Sequence, residues 1–174
     1  MKVLKNTLTA LAFLSLIIAM SCNGNKGKDD PEPDPVAKVK GEALAAGTWT
    51  PTTGGITNEN TPRDEWDGFT VSFTVSESDE YRSGNYSTTN VPTDENADLV
   101  WKSSGTWEFG EKADGTPDLG IIYRDGDTTV PIAVTVATTG DPVSGGTLRL
   151  EFSIPDPNAR VEGFYGTWVF NFSF

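Results

Sequence analysis

Alternation of apolar and polar residues is the dominant pattern of this chain. Between Phe69 and Val75, apolar side chains stand at every second position, with Thr or Ser between them. A period of two places one face of a strand in a core and the other face in water. The same alternation recurs over 130–136, 148–154 and 168–174, and less regular strand candidates cover 47–52, 80–89, 105–110 and 119–124. Because no stretch has a helical period, the pattern predicts an all-β domain.

Turn residues separate these strand candidates. Asp125-Gly126 suits a tight hairpin, Gly145-Gly146 precedes another strand, and 156–158 reads Asp-Pro-Asn, which is typical of a loop. About eight short strands at this spacing predict an antiparallel up-and-down barrel, with a two-sheet β-sandwich as the alternative. We expect this domain to span residues 46–174.

The N-terminus has the pattern of a secretory leader. Lys2 and Lys5 precede an apolar run of 13 residues, from Leu8 to Met20. A transmembrane helix needs about 20 residues, so this run is too short to anchor the chain in a bilayer. We therefore predict a signal peptide over residues 1–21.

Cys22 follows the leader directly and is the one cysteine of the chain, so it has no partner for an intrachain disulfide. With Ala19 and Ser21 before it, it resembles the lipobox of bacterial lipoproteins, and the alternative is an ordinary signal peptide followed by a chance cysteine. The resemblance implies that the thiol of Cys22 carries a diacylglycerol and becomes the new N-terminus. Acylation would make the membrane a partner through this lipid anchor alone.

Residues 22–45 are rich in charge and proline, which predicts a flexible lipidated tether with a short helical turn over 42–46. Within it, Lys28, Asp29 and Asp30 resemble the surface-export signal of lipoproteins from the Bacteroidota. That resemblance implies a position on the outer face of the outer membrane. The alternative is that any solvated tether has this composition.

The first strand opens with Gly47-Thr48-Trp49, which resembles the Gly-x-Trp motif of lipocalins. Residues 66–73 and 101–107 are similar to segments of lipocalin-like lipoprotein domains of the Bacteroidota. The resemblance implies a cup-shaped barrel that holds a small apolar ligand and has no enzymatic activity. Lipocalins usually pack a late Arg against the motif Trp, and Arg149 and Arg160 are the candidates here. A barrel interior filled by side chains would count against such a ligand.

Charge and composition also exclude several kinds of partner and active site. The chain has 13 Lys or Arg, 25 Asp or Glu and no His, for a net charge of -12. Loss of Lys2 and Lys5 with the leader leaves 11 basic and 25 acidic residues, or -14, which disfavours nucleic acid and anionic lipid headgroups as partners. Without His, the His-dependent catalytic triads and the commonest metal ligand are excluded.

The remaining acidic residues do not form a recognisable site. They cluster in predicted turns and are interpreted as solvated loops, and Asp125-Gly126-Asp127 lacks the twelve-residue pattern of a calcium loop. We therefore expect a monomeric, non-catalytic domain without a cofactor or metal ion.

Trp66, Tyr86 and Trp101 fall outside the regular strand pattern, in or near predicted loops. Aromatic faces on loops can stack on sugar rings, so these three residues are the candidate ligand-binding residues. The alternative is that they cover the barrel ends beneath the loops. Three functions stay open: a carrier of a small apolar ligand, a glycan- or protein-binding accessory module of a surface nutrient-uptake system, and a structural surface protein without a small ligand.

Overall fold

The computed structural model describes residues 34–94, 96–155 and 163–174. The predicted signal peptide, Cys22 and the predicted export signal Lys28, Asp29 and Asp30 lie outside these ranges. The strands are β1 (Thr48–Asn58), β2 (Thr61–Pro62), β3 (Thr70–Phe73), β4 (Ser83–Thr89), β5 (Ser104–Glu111), β6 (Pro117–Arg124), β7 (Asp127–Thr139), β8 (Gly145–Ile154) and β9 (Gly166–Ser173). The helices are α1 (Pro35–Leu44) and α2 (Ala97–Val100), with short 3₁₀ helices at Asp64–Trp66 and Glu77–Asp79.

All strands belong to one antiparallel sheet that closes on itself. Successive long strands pair with each other, and β1 also pairs with β9, for example at Thr50↔Ser173 and Asn58↔Trp168. β2 is a two-residue strand hydrogen-bonded to the end of β1. The eight strands β1 and β3–β9 therefore form a closed up-and-down barrel of the lipocalin-like type. The barrel prediction is confirmed, and the two-sheet sandwich is wrong.

Side chains that alternate in the sequence point alternately into the barrel and out to solvent. On β8 and β9, Leu150 pairs with Phe170 and Phe152 pairs with Trp168, and all four side chains are buried. Arg149, between two buried leucines, points outward and is exposed. Burial of large apolar side chains of this kind contributes about 1.5–3 kcal/mol each, so the alternating strands supply the core that stabilises the barrel.

Up-and-down order places the connections alternately at two ends of the barrel. The end where α1 leads into β1 also holds the connections 74–82, 112–116 and 140–144, and we call it the α1 end. The opposite end holds 59–69, α2 and the hairpin turn 125–126, and we call it the α2 end. Neither helix of the described ranges is long and apolar enough to cross a bilayer.

Helix α1 corrects the predicted extent of the flexible tether. Residues 35–44 form a helix whose N-terminus is capped by Asp34, since its carboxylate accepts a hydrogen bond from the backbone N–H of Val36. Ala37, Gly41 and Leu44 recur at helical spacing and are buried. The helix therefore replaces a flexible chain over 35–44, and its end overlaps the helical turn predicted over 42–46, while residues 22–33 lie outside the described ranges.

α1 closes one end of the barrel. It packs against β6 and β7 on one side, and Gly41 lies so close to the opposite connection that a Cβ there would stand 2.6 Å from the backbone oxygen of Tyr81. The indole N–H of Trp49 donates a 2.8 Å hydrogen bond to the carbonyl of Leu44, which fixes the end of the helix to the first strand.

Trp49, the aromatic residue of the Gly-x-Trp motif, is buried in the core. Its ring meets Phe174 edge-on, with centroids 4.6 Å apart. Arg149, one of the two candidates for the lipocalin arginine, instead forms an ion pair with Glu151 on the outside of the barrel. Arg160 lies outside the described residues. The C-terminal phenyl ring thus packs against the motif Trp.

Candidate functional site

The three predicted ligand-binding aromatics lie together at the α2 end, but inside the protein. Trp66, Tyr86 and Trp101 are each 2% exposed or less. The expectation of ring faces exposed on loops is wrong, because the 3₁₀ helix and α2 carry Trp66 and Trp101 inward and Tyr86 is a buried residue of strand β4. Their burial matches the alternative in which loop aromatics cover the barrel end. A sugar ring has no face of these side chains on which to stack.

Trp101 crosses the interior of the barrel. Its ring centroid lies 5.8 Å from that of Tyr86 on β4 and 5.9 Å from that of Phe152 on β8. In the ring of eight strands, β4 and β8 are four positions apart and therefore opposite each other. One indole ring thus bridges the two walls at this end.

Trp66 fills the space beside it from a second loop. Its ring centroid lies 5.4 Å from that of Phe69 and 5.7 Å from those of Trp168 and Phe170. Trp101 also contacts Phe69 and Phe170, so the two indoles share neighbours. An apolar ligand entering the barrel here would have to displace this packed cluster, which counts against an interior binding cup at the α2 end.

A charged residue lies directly on the cluster. The guanidinium of Arg124, at the end of β6, stands 4.3 Å from the ring centroid of Trp101 and 5.1 Å from that of Phe152. Its Nη1 donates a 2.8 Å hydrogen bond to the carbonyl of Val100, the last residue of α2. Cation–π contact and this hydrogen bond hold the cation in one position.

Two buried N–H groups in this pair, Arg124 Nε and Trp101 Nε1, have no acceptor among the described residues. A buried donor without a partner costs about 1–3 kcal/mol, so such groups usually meet water or a ligand. Burial lowers the pKa of Arg124, whereas Tyr86 and Asp125 act in the opposite direction. The side chain stays charged, since a guanidinium is not deprotonated in proteins.

Asp125 organises the next layer of contacts. Its Oδ2 accepts hydrogen bonds from Lys102 Nζ at 2.9 Å and from the Tyr86 hydroxyl at 3.3 Å, and its Oδ1 accepts one from Thr106 N at 2.9 Å. Burial raises the pKa of Asp125, but the hydrogen bonds from Lys102 and Thr106 outweigh it and hold that pKa below its usual value. The predicted Asp125-Gly126 hairpin is confirmed, since Arg124 pairs with Asp127 and both turn residues have positive φ.

These residues surround an open cleft of about 180 Å³, which we call the α2 cleft. Its wall combines three carboxylates, two cations and two apolar side chains: Asp98, Asp125, Asp127, Lys102, Arg124, Leu99 and Val130. An adjoining depression of about 470 Å³ shares Asp98 and Lys102 and is lined by Trp101. Lys102, Arg124 and Asp98 were not among the predicted site residues.

Within the described ranges, no group of three or more Cys, Asp or Glu residues is placed to hold a metal ion. The best-connected carboxylate, Asp125, is already engaged by Lys102, Tyr86 and Thr106. The α2 cleft therefore offers fixed charges and hydrogen-bonding groups for recognition.

Replacing Trp101 with Ala should lower the free energy of unfolding by about 3–5 kcal/mol, because the ring bridges two walls of the core. Leu99→Ala, two residues earlier and exposed, should change it by about 0.5 kcal/mol or less. Urea denaturation followed by tryptophan fluorescence and circular dichroism measures both. Equal stability of the two variants would contradict the core position of Trp101.

Tyr86 should make the protein less stable at high pH. Burial raises the pKa of Tyr86 to about 12, with Arg124 opposing this shift and Asp125 adding to it. Between about pH 10 and pH 12 the unfolded chain releases this proton while the folded chain retains it, so stability falls as pH rises. Compared with Tyr86→Phe, the wild type should lose about 1–2 kcal/mol more over that interval.

Denaturation curves at several pH values from 9 to 11.5 check this, with Tyr123→Phe on the neighbouring β6 strand as the matched control. Parallel pH profiles for the wild type and Tyr86→Phe would show that the phenol is not protected from ionisation by the fold.

Comparison of the chain with protein-family models, with curated proteins and with solved structures finds no match. The resemblance to lipoproteins of the Bacteroidota stays a prediction from the sequence. Function is therefore argued from the geometry of the α2 cleft and from the leader.

Proposed function

We propose that this protein is a lipid-anchored, non-catalytic binding module of the cell envelope that recognises a hydroxyl-rich ligand, such as a glycan, at the α2 cleft. The observation that carries the proposal is the mixture of carboxylates and cations around one small opening. Glycan binding is one of the three functions that the sequence left open, and the proposed site is the charged cleft beside the buried aromatics rather than the aromatics themselves.

A hydroxyl group complements such a mixture because it donates one hydrogen bond and accepts others. Carboxylates such as Asp98 and Asp127 only accept, whereas Lys102 and Arg124 only donate. A polyol can satisfy both kinds of group at once without bringing any net charge. A strongly anionic ligand would meet three carboxylates, and a cationic ligand would meet two cations.

The size and apolar parts of the α2 cleft fit the same ligand class. Its volume of about 180 Å³ is below the roughly 300–1,000 Å³ of pockets for drug-sized molecules, which favours a single ring-sized unit. Leu99 and Val130 supply apolar surface against which the C–H groups of a sugar can pack. Because the fixed guanidinium of Arg124 lies on the packed aromatic cluster, little ordering is needed on binding.

The proposed anchor is a diacylglycerol on Cys22, with Lys28, Asp29 and Asp30 directing the protein to the outer surface of the outer membrane. Support comes from the leader and from the position of the chain entry. The tether reaches the barrel through α1, and the α2 cleft lies at the opposite end. Strands of 8–10 residues are about 25–33 Å long, and their tilt in a barrel makes the separation of the two ends about 20–25 Å. An anchored barrel can therefore present the cleft away from the bilayer.

A carrier for a small apolar ligand is the second candidate, and the closed eight-stranded barrel favours it. The packed rings of Trp66, Phe69 and Trp101 argue against it, since they occupy the interior where the ligand would enter. A structural surface protein without a small ligand is the third candidate, and the binding experiment below distinguishes it.

The double variant Asp98→Asn with Lys102→Gln should weaken glycan binding at least tenfold, because each change removes a charged partner for a hydroxyl at the α2 cleft. Both side chains are exposed, so the fold should be unaffected. A glycan array with the wild type identifies a ligand, and calorimetric titration measures its affinity.

Lys112→Gln is the matched control. Lys112 directly follows β5 at the α1 end, far from the α2 cleft, so this variant should bind like the wild type. Absence of any glycan ligand, or unchanged affinity in the double variant, would contradict the proposed site.

Cys22→Ser should release the protein from membranes, because the acyl chains are the proposed attachment. Mass spectrometry of the mature N-terminus and flotation of membrane fractions measure this. Replacing Lys28, Asp29 and Asp30 with Ala is the companion variant: it should stay membrane-bound but lose its accessibility to protease on intact cells. A Cys22→Ser protein that still floats with membranes would contradict the anchor.

A further inference from the structure

We infer that the α1 end of the barrel rests on the membrane surface that holds the lipidated N-terminus, with Val36, Val39 and Val143 in contact with lipid. This inference rests on the proposed anchor at Cys22. It adds a second, non-covalent contact with the bilayer and a fixed orientation of the domain.

The outer face of α1 is the first observation. Ala37, Gly41 and Leu44 turn toward the barrel, whereas Val36 and Val39 lie on the remaining surface and are 62% and 68% exposed. A surface helix normally carries polar residues on the face away from its core. Here α1 has apolar residues on both faces, which indicates that something apolar covers the outer one.

A second element contributes to the same surface. Val143 lies in the connection between β7 and β8, at the α1 end, and is 46% exposed. The helix packs against β7, the strand that leads into this connection. Among the described residues, three of the four large apolar side chains that are exposed therefore belong to the α1 end, and the fourth, Leu99, belongs to the α2 end.

The short chain between Cys22 and α1 favours the membrane as the apolar partner of these valines. Asp34, the cap of α1, stands 12 residues after Cys22. Even fully extended, this segment spans only about 40 Å, so acylation of Cys22 would hold the α1 end near the lipid headgroups at high effective concentration. A partner protein or a second copy has no such constraint in its favour.

Two lysines of α1 lie beside the valines, whereas the connections at the same end carry the acidic residues Glu77, Asp79, Glu80 and Asp141, so the contact suits a membrane surface without net charge. Lys38 and Lys40 flank Val39 in the sequence. The Nζ of Lys38 lies 5.2 Å from the ring centroid of Tyr81 and 3.9 Å from Oε1 of Glu42. Helices that lie in the membrane interface combine apolar side chains with lysines whose long stems reach the headgroups. The contact would also direct the α2 cleft outward.

The test uses the full lipidated protein with one introduced thiol, in the variants Val39→Cys, Val143→Cys and, as matched control, Leu99→Cys. Cys22 is acylated in this form, so an environment-sensitive fluorophore attaches at the new position alone. The samples are reconstituted on vesicles of zwitterionic phosphatidylcholine that contain nitroxide-labelled lipid, because an anionic surface would repel this acidic chain. We expect quenching at positions 39 and 143 to exceed that at position 99 at least twofold.

Flotation of the same samples distinguishes failure of the proposed anchor from failure of this inference. Protein that does not float with the vesicles would overturn both the anchor and this inference. Protein that floats, with equal quenching at positions 39, 143 and 99, would overturn the inference alone. A concentration-dependent dimer whose label is shielded without lipid would also overturn it, because a second copy would then be the occupant.

Discussion

The hydrogen-bonded pairing of β1 with β9 is the constraint on which the rest of the structure depends. It joins segments more than 100 residues apart, and a shift of register between Pro51 and Ile56 lets the first strand follow the curve of the barrel. With β1 and β9 paired, the one sheet edge left among the described residues is the two-residue strand β2. The inward side chains of all eight strands then face one interior, so the aromatic residues must pack against each other there.

Packing of the interior moves recognition to the barrel ends. At the α2 end, Trp101 contacts both the packed core and the cleft. Its ring packs against Phe152 of the core, and the guanidinium of Arg124, which lines the cleft, lies over the same ring. The position of the charge in the cleft is therefore set by the core itself. Such a preorganised cation loses little conformational freedom when it binds a ligand, which suits a site for weak, uncharged groups such as hydroxyls.

The strands were predictable from sequence because alternation reports burial directly, as at Leu150 and Phe152. Helix α1 was not, because two of its three buried residues, Ala37 and Gly41, are too small to register as an apolar stripe. The sequence left open whether Trp101 binds a ligand or covers the barrel end, because a residue in a loop has no periodic neighbours that report its environment, and its burial matches the second alternative. The α2 cleft was missed since Lys102 and Arg124 meet only through the pairing of β5 with β6.

The α1 end exposes the valines of α1, the α2 end holds the charged cleft, and the chain reaches the barrel from the proposed anchor through α1. A tether over residues 22–45 would reach about 70 Å if extended at about 3.1 Å per residue, whereas the 12 residues from Cys22 to Asp34 reach only about 37 Å. By docking on the barrel, α1 removes about half of that reach and replaces it with a rigid element. The distance between lipid and ligand site is then set mainly by the barrel, which favours a defined height of the cleft above the membrane.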